Sequence, residues 1–179
     1  PMQKGRVKRV INQSNLNWIG RPVNTPEQAE KLMAKVCVIG SYIKRRGNLL
    51  LLWEENRRID ARELEYCIRE SLENLRLGGV FTSLNAICEG QLPLEYIVAA
   101  YDFYEAVTEQ LLDRITAMMG NLTCCGGSIR MNVQIGCAEE IAHKQLEDIP
   151  LPYGKVTYEI MDEDLVINLV MSEGGASAV

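Results

Sequence analysis

The stretch AYDFYEAVTEQLL, residues 100–112, sets Tyr101, Tyr104, Val107 and Leu111 three and four residues apart, the spacing of one helix face. Upstream, Pro93 suits a first helical turn and Ile97 and Val98 continue the face; downstream, Ile115 extends it. The pattern predicts a helix from Pro93 to about Met119. Glu105 and Glu109 stand four apart on that helix and repel unless a cation joins them. A solvated stripe is the simple reading of the pair.

Working outward toward the N-terminus, NTPEQAEKLMAKVCVIGSYIKRRGNLLLLWEEN opens with Thr25 as helix cap, Pro26 in the first turn and Gln28 closing a capping box. Ala29, Leu32, Met33, Val36, Ile39, Ile43, Leu50 and Trp53 recur at helical spacing over about 30 residues, a rod of roughly 45 Å. Gly40 and Gly47, seven apart, mark either a close helix crossing or tolerated glycines. The cationic run YIKRRGN reads as a solvated helix side, with phosphate or an acidic partner face as the alternative. Asp60 and Glu63 make a second capping box, Leu64, Cys67, Ile68, Leu72 and Leu75 form a buried stripe, and Gly78 and Gly79 end that helix. The short turn NRRID between the two predicts an antiparallel helical hairpin. Its apolar face calls for a second copy, so Leu32, Val36, Ile39, Ile43, Leu50, Leu64, Ile68 and Leu72 are the expected homodimer interface.

Toward the C-terminus, VFTSLNAI reads as a strand and CEGQ as a turn, while CCGG reads as another turn. SIRMNVQIG alternates Ile129, Met131, Val133 and Ile135 on one face of a strand, and CAEEIAHKQLED reads as a short helix. KVTYEI and LVINLVM flank MDED as an antiparallel hairpin. The element order predicts an α+β protein: a long antiparallel helical hairpin followed by an α/β sandwich, with a mixed sheet covered by helices on one face.

This order, with two altered motifs, resembles the cytoplasmic core of a sensor histidine kinase, a dimerising hairpin followed by a GHKL ATPase-like domain. In that family the N-box helix carries an acid and then an asparagine that holds the Mg2+ bridging the ATP phosphates; YEAVTEQLLDR keeps the acid as Glu105 and has Glu109 at the asparagine's place. A strand ending in an aspartate normally meets the adenine amino group; LVINLVMSEGG has Ser172 or Glu173 there, followed by Gly174 and Gly175. The lid that closes over the phosphates is not in this sequence. The hairpin helix CVIGSYIKRRGN lacks the phosphoacceptor histidine, and the chain's one histidine, His143, falls on the short helix, where an ordinary surface role is expected. The resemblance implies a dimeric, non-catalytic signalling relay with no resident cofactor. ATP with Mg2+ bound through Glu105, Glu109, Ser172, Glu173 and Gly174 is the enzymatic alternative, and a purely structural dimerisation domain the third. A response-regulator-like protein is the implied partner. A cytoplasmic location follows, with a membrane-spanning sensor region N-terminal to this chain.

Charge and cysteines bound the rest. The net charge is −5, yet residues 1–23 hold five basic residues and no acid, leaving the remainder at −10. An acidic bulk argues against nucleic acid, whose phosphates need a concentrated positive face. The basic start reads as a solvated arm or as a segment facing anionic lipid. No signal peptide precedes it, and a chain beginning with proline suggests a longer parent. The longest apolar stretches, such as Leu49 to Trp53, fall far short of the roughly 20 residues that span a bilayer. Six cysteines form no CxxC pair, which predicts free thiols in a reducing compartment and no zinc. No Walker loop, GxGxxG, HExxH or GxSxG occurs. The expected division is a basic segment at 1–24, the hairpin at 25–79, the ATPase-like domain at 80–175 and a tail at 176–179.

Overall fold

The computed structural model describes residues 22–55, 57–138 and 144–173. The basic segment up to residue 21, His143, Gly174, Gly175 and the tail lie outside the described residues.

Helix α1 (Pro26–Glu55) starts where its caps dictate: the Gln28 amide donates to Thr25 Oγ1 at 3.2 Å. Gln28 Oε1 accepts from the Asn24 amide at 2.9 Å, so the reciprocal half of the box reaches one residue beyond the cap. Strand β1 (Arg58–Asp60) follows, then helix α2 (Arg62–Leu77). Asp60 stabilises the α2 start from outside the helix. Its Oδ1 accepts from the Arg62 amide at 2.9 Å, while Ala61 holds the cap position without a side-chain bond. The expected stripe Leu64, Cys67, Ile68, Leu72 and Leu75 is buried as the period required.

Strand β2 (Phe81–Cys88) leads through Gly90 into β3 (Gln91–Pro93), which pairs antiparallel with β1. Both segments read as turns, NRRID and CEGQ, thus meet as a two-stranded ribbon. Ribbon geometry also serves α2, because Gly90 O accepts from the Ala61 amide at 3.0 Å. Helix α3 (Leu94–Leu111) is buried at nearly every position, the signature of a helix with neighbours all round.

The helix ends at Leu111 and does not reach Met119. Residues from Ile115 onward form β4 (Ile115–Cys125), parallel to β2 and antiparallel to β5 (Ser128–Cys137). The helical spacing of Ile115 with Leu111 was coincidental, since ladder bonds to two strands outweigh one more helical turn. Cys124 and Cys125 are the end of β4, not a turn; the turn itself is Gly126–Gly127, with φ of 56° and 74° that only glycine adopts without strain. Helix α4 (Lys144–Glu147) precedes the hairpin of β6 (Gly154–Met161) and β7 (Asp164–Ser172), turned at Asp162–Glu163 as MDED predicted.

The sheet runs β2-β4-β5-β7-β6, mixed because β2 and β4 are parallel and the remaining pairs antiparallel. One face packs on α3: Met118, Met131, Val133, Ile135 and Ile167 meet Phe103, Tyr104, Val107 and Thr108 across a void of about 10 Å³, about the smallest a single water needs. The outer face is mixed: Asn132 Nδ2 donates to Asn168 Oδ1 at 2.7 Å, while Phe81, Ile87 and Val170 are exposed there. Helices α1 and α2 cover the other side of α3, so the expected α+β layering is the one observed.

The face of α1 that packs inward differs from the expected one. Ala34, Val38, Ser41, Tyr42, Arg46 and Leu49 are buried, whereas Met33, Val36, Ile43, Leu51 and Trp53 are exposed. Gly40 and Gly47 have open space where a Cβ would stand, so neither serves a crossing within the chain. The close approach lies at Gly78, where a Cβ would come within 2.7 Å of Ala34 Cβ. Among the described residues no helix is long and apolar enough to cross a membrane.

Candidate functional site at the joint between α1 and α3

Tyr42 and Arg46 lie four residues apart on the inner stripe of α1 and therefore reach the same turn of α3. Arg46 Nε donates to Asp102 Oδ1 at 2.9 Å, and Tyr42 OH donates to the same oxygen at 3.1 Å. The pair is dry: Arg46 is 6% and Asp102 5% exposed at the side chain. Burying both charges is tolerable only because each neutralises the other, and Arg46 Nη1 still makes no hydrogen bond within the chain. Lys44 and Arg45 neighbour this pair on α1 and both bind Glu70 of α2. YIKRRGN is therefore solvated only in part: Ile43 and Lys44 are exposed, while Arg45 ties α1 to α2 and Arg46 ties it to α3.

One turn further along α3, Glu105 is buried and lines a pocket of about 30 Å³ with Val38, Ile39, Tyr42, Asp102, Ala106, Glu109 and Leu112. Burial pushes its pKa up to about 8; the Ser71 and Tyr101 hydroxyls partly offset this, and the neighbouring acids Glu109 and Asp102 add to it. Those hydroxyls are close enough to act on the charge, but no hydrogen bond of normal geometry reaches Glu105 Oε1, Ser71 Oγ or Tyr101 OH. At neutral pH Glu105 is therefore mostly protonated. The solvated-stripe reading fails for Glu105, because α1 and α2 close over it. Glu109 is half-buried, and desolvation raises its pKa as well.

Ser172 and Glu173, the residues expected at the adenine end, lie toward the start of α3. Ser172 closes β7 opposite Ser128, and its carbonyl accepts from Tyr96 OH at 3.4 Å. Glu173 pairs with Arg58 of β1, and its amide donates to Gly127 O at 3.2 Å. Tyr96 sits near the start of α3, nine residues or about 13 Å along the axis from Glu105. Glu105 and Glu109 therefore gather at one end of α3, while Ser172 and Glu173 gather at the other. No metal-holding cluster of three or more His, Cys, Asp or Glu side chains occurs among the described residues.

The dimer positions divide in the same way. Leu64, Ile68 and Leu72 are 0%, 1% and 4% exposed within the single chain, while Val36 and Ile43 are exposed and Leu32, Ile39 and Leu50 lie on the flank. A second copy can meet only the α1 members of that set.

No family model matches the chain, and no curated protein matches it. Solved structures do. The histidine kinase domain of the blue-light activated histidine kinase from Erythrobacter litoralis is 9% identical over 96% of this chain and 84% of that one, with a TM-score of 0.51. The fold is that of a histidine kinase core. A second structure of that kinase matches at 13% identity over 75% of this chain and 55% of the other, with a TM-score of 0.50. Acinetobacter baumannii histidine kinase AdeS aligns over 94% of this chain and 92% of its own at 10% identity and TM-score 0.48. The histidine-kinase-like GHKL architecture expected from the element order is therefore present, and identities this low speak to fold alone.

Tyr42, Arg46 and Asp102 form the joint, Ser71 lies beside Glu105, and all four were missed in the sequence. The legible signals were Asp102 amid the apolar residues of α3, and Tyr42 and Arg46 in step with Val38 and Leu49.

Proposed function

We propose that this chain is a non-catalytic signalling relay on a histidine kinase fold, dimeric through α1, in which the hairpin passes a conformational change to the α/β layer and on to a response-regulator-like partner. The hairpin at 25–79 and the layer at 80–175 are its two working parts. The observation that carries the reading is the buried Arg46–Asp102–Tyr42 link: a desolvated ion pair has few tolerable geometries, so a shift of α1 must be followed by α3. The outward stripe of Met33, Val36, Ile43 and Leu51 supports a second copy as the partner of α1. Against the ATP alternative stands the small size of the spaces beside α3, about 10 and 30 Å³, where small-molecule sites usually offer roughly 300–1,000 Å³. Absence of histidine from the hairpin removes the usual phosphoacceptor.

A second reading, a static dimerisation domain, is favoured by Tyr101, Tyr104, Met118 and Met131 filling the layer around α3. One experiment separates the readings. Light scattering at micromolar concentration is expected to give a dimer for the wild-type chain and a monomer for the Val36→Glu, Ile43→Glu variant, with far-UV circular dichroism unchanged. Hydrogen exchange across Asp102–Glu109 is then compared between the two states. Altered exchange supports the relay, unaltered exchange leaves only the static domain, and a monomeric wild type removes dimerisation through α1. Calorimetry with ATP and Mg2+ is expected to give no heat at millimolar nucleotide; a binding isotherm would return the enzymatic alternative.

A further inference from the structure

Cys88 closes β2 and Cys124 is the penultimate residue of β4, and the parallel register makes them direct Cα partners. Neighbouring strands lie about 4.8 Å apart, inside the roughly 4.4–6.8 Å window of Cα separations that a disulfide spans. Both side chains project to the same side. Leu84, Ala86 and Cys88 of β2 pack on the core, as do Met118, Leu122 and Cys124 of β4. Cys125, one residue on, is exposed on the opposite face, so alternation separates it from the pair.

The two thiols are not equivalent. Cys124 is fully buried, whereas Cys88 is partly exposed on a strand that forms the sheet's edge. The two thiols lie close enough to shift each other's titration, Cys88 downward and Cys124 upward, and burial adds to the rise at Cys124; Glu65 and Asp60 act against the Cys88 thiolate. Cys88 is thus the accessible nucleophile, and Cys124 the protected partner that never needs to meet solvent.

We propose that Cys88 and Cys124 are a redox modification site, a thiol pair that a hydroperoxide closes to a disulfide and a dithiol reductant reopens. In the first step the Cys88 thiolate attacks the peroxide, the O–O bond breaks, and Cys88 becomes a sulfenic acid as the leaving oxygen takes a proton. In the second, the Cys124 sulfur attacks Cys88, the S–S bond forms and the S–O bond breaks. Hydroxide leaves with the Cys124 proton as water, and the two thiols have given two electrons to the peroxide. The site lies at a structural seam. The Glu89 amide donates to Cys124 O at 2.9 Å, and Gly90 O receives the Ala61 amide that starts α2. Closing the bond pins the strand that feeds the ribbon and the hairpin turn.

Peptide mapping of the full reduced chain tests this. After hydrogen peroxide and maleimide blocking, digestion without reductant is expected to yield one linked pair joining Cys88 and Cys124, lost on treatment with dithiothreitol. Cys125→Ser keeps the link, and Cys124→Ser stops at a Cys88 sulfenic acid trapped by dimedone. Hydrogen exchange at residues 89–93 slows in the oxidised form. The proposal is overturned if, on unfolding in denaturant, Cys88 and Cys124 both still react with maleimide after Cys125 has oxidised, or if the bond formed joins Cys125 or two copies. The wild-type map alone decides this, whether or not a variant folds.

Discussion

Replacing Arg46 by methionine keeps most of the side chain's length and apolar volume but removes the charge that faces Asp102. Asp102 retains the hydrogen bond from Tyr42 OH, yet its buried carboxylate loses the charge-assisted bond from Arg46. Breaking one side of a buried pair costs about 3–5 kcal/mol, against at most about 1 kcal/mol for an exposed pair. Arg46 Nη1 already lacks a hydrogen bond, so the native pair is imperfect and the lower end, about 3 kcal/mol, is expected. For a chain of this size that lowers Tm by roughly 6–12 °C. The assay is a double-mutant cycle by urea unfolding with Arg46→Met, Asp102→Leu and the combination. Each single variant is expected to lose about 3 kcal/mol and the double variant less than either, because the apolar pair leaves no orphaned charge. Additive losses, or single losses below about 1 kcal/mol, would refute the idea that this joint is a desolvated, coupled pair.

Glu105 supplies a pH test. Its pKa rises from an ordinary 4.5 to about 8, so the folded state binds the extra proton between those values and stability falls as pH rises through that window. The full shift corresponds to roughly 4–5 kcal/mol. Glu105→Gln, neutral at every pH, should match the wild type near pH 5 and exceed it near pH 8 in urea midpoint; equal slopes for the two proteins would show that the carboxyl does not titrate in the fold. Gly154→Ala should destabilise by about 1–3 kcal/mol, since its Cβ would come within 2.6 Å of Met171 Cγ and 2.9 Å of Val170 O; an unchanged Tm would place β6 farther from β7. Gly127→Ala forces a φ of 74° on a side chain and crowds the Glu173 carboxylate, with an expected loss of about 1–2 kcal/mol by thermal melting.

Local signals carried much of the fold. The capping at Thr25, the α2 stripe from Leu64 to Leu75, the alternation of β5 and the turn at Asp162–Glu163 were all legible, since each depends on residues within a few positions of one another. The C-terminal limit of α3 was not. ITAMMGNLTCC holds no strong breaker before Gly120, and its strand state follows from partners that arrive from residues 81–88 and 128–137.

What the sequence by itself determined was the period of each element, hence the α+β layering and the hairpin. The tertiary structure decided which face of each helix turns inward. Helix α1 carries two apolar stripes at the same 3.6-residue period, and periodicity cannot rank them. The stripe of Ala34, Val38, Tyr42 and Leu49 went inside, and with it Arg46 reaches Asp102, which offsets part of the cost of burying that carboxylate. The same packing turned Glu105 from a surface acid into a protonated core residue: the two helices that desolvate it lie far from it in sequence, and no local pattern encodes their arrival.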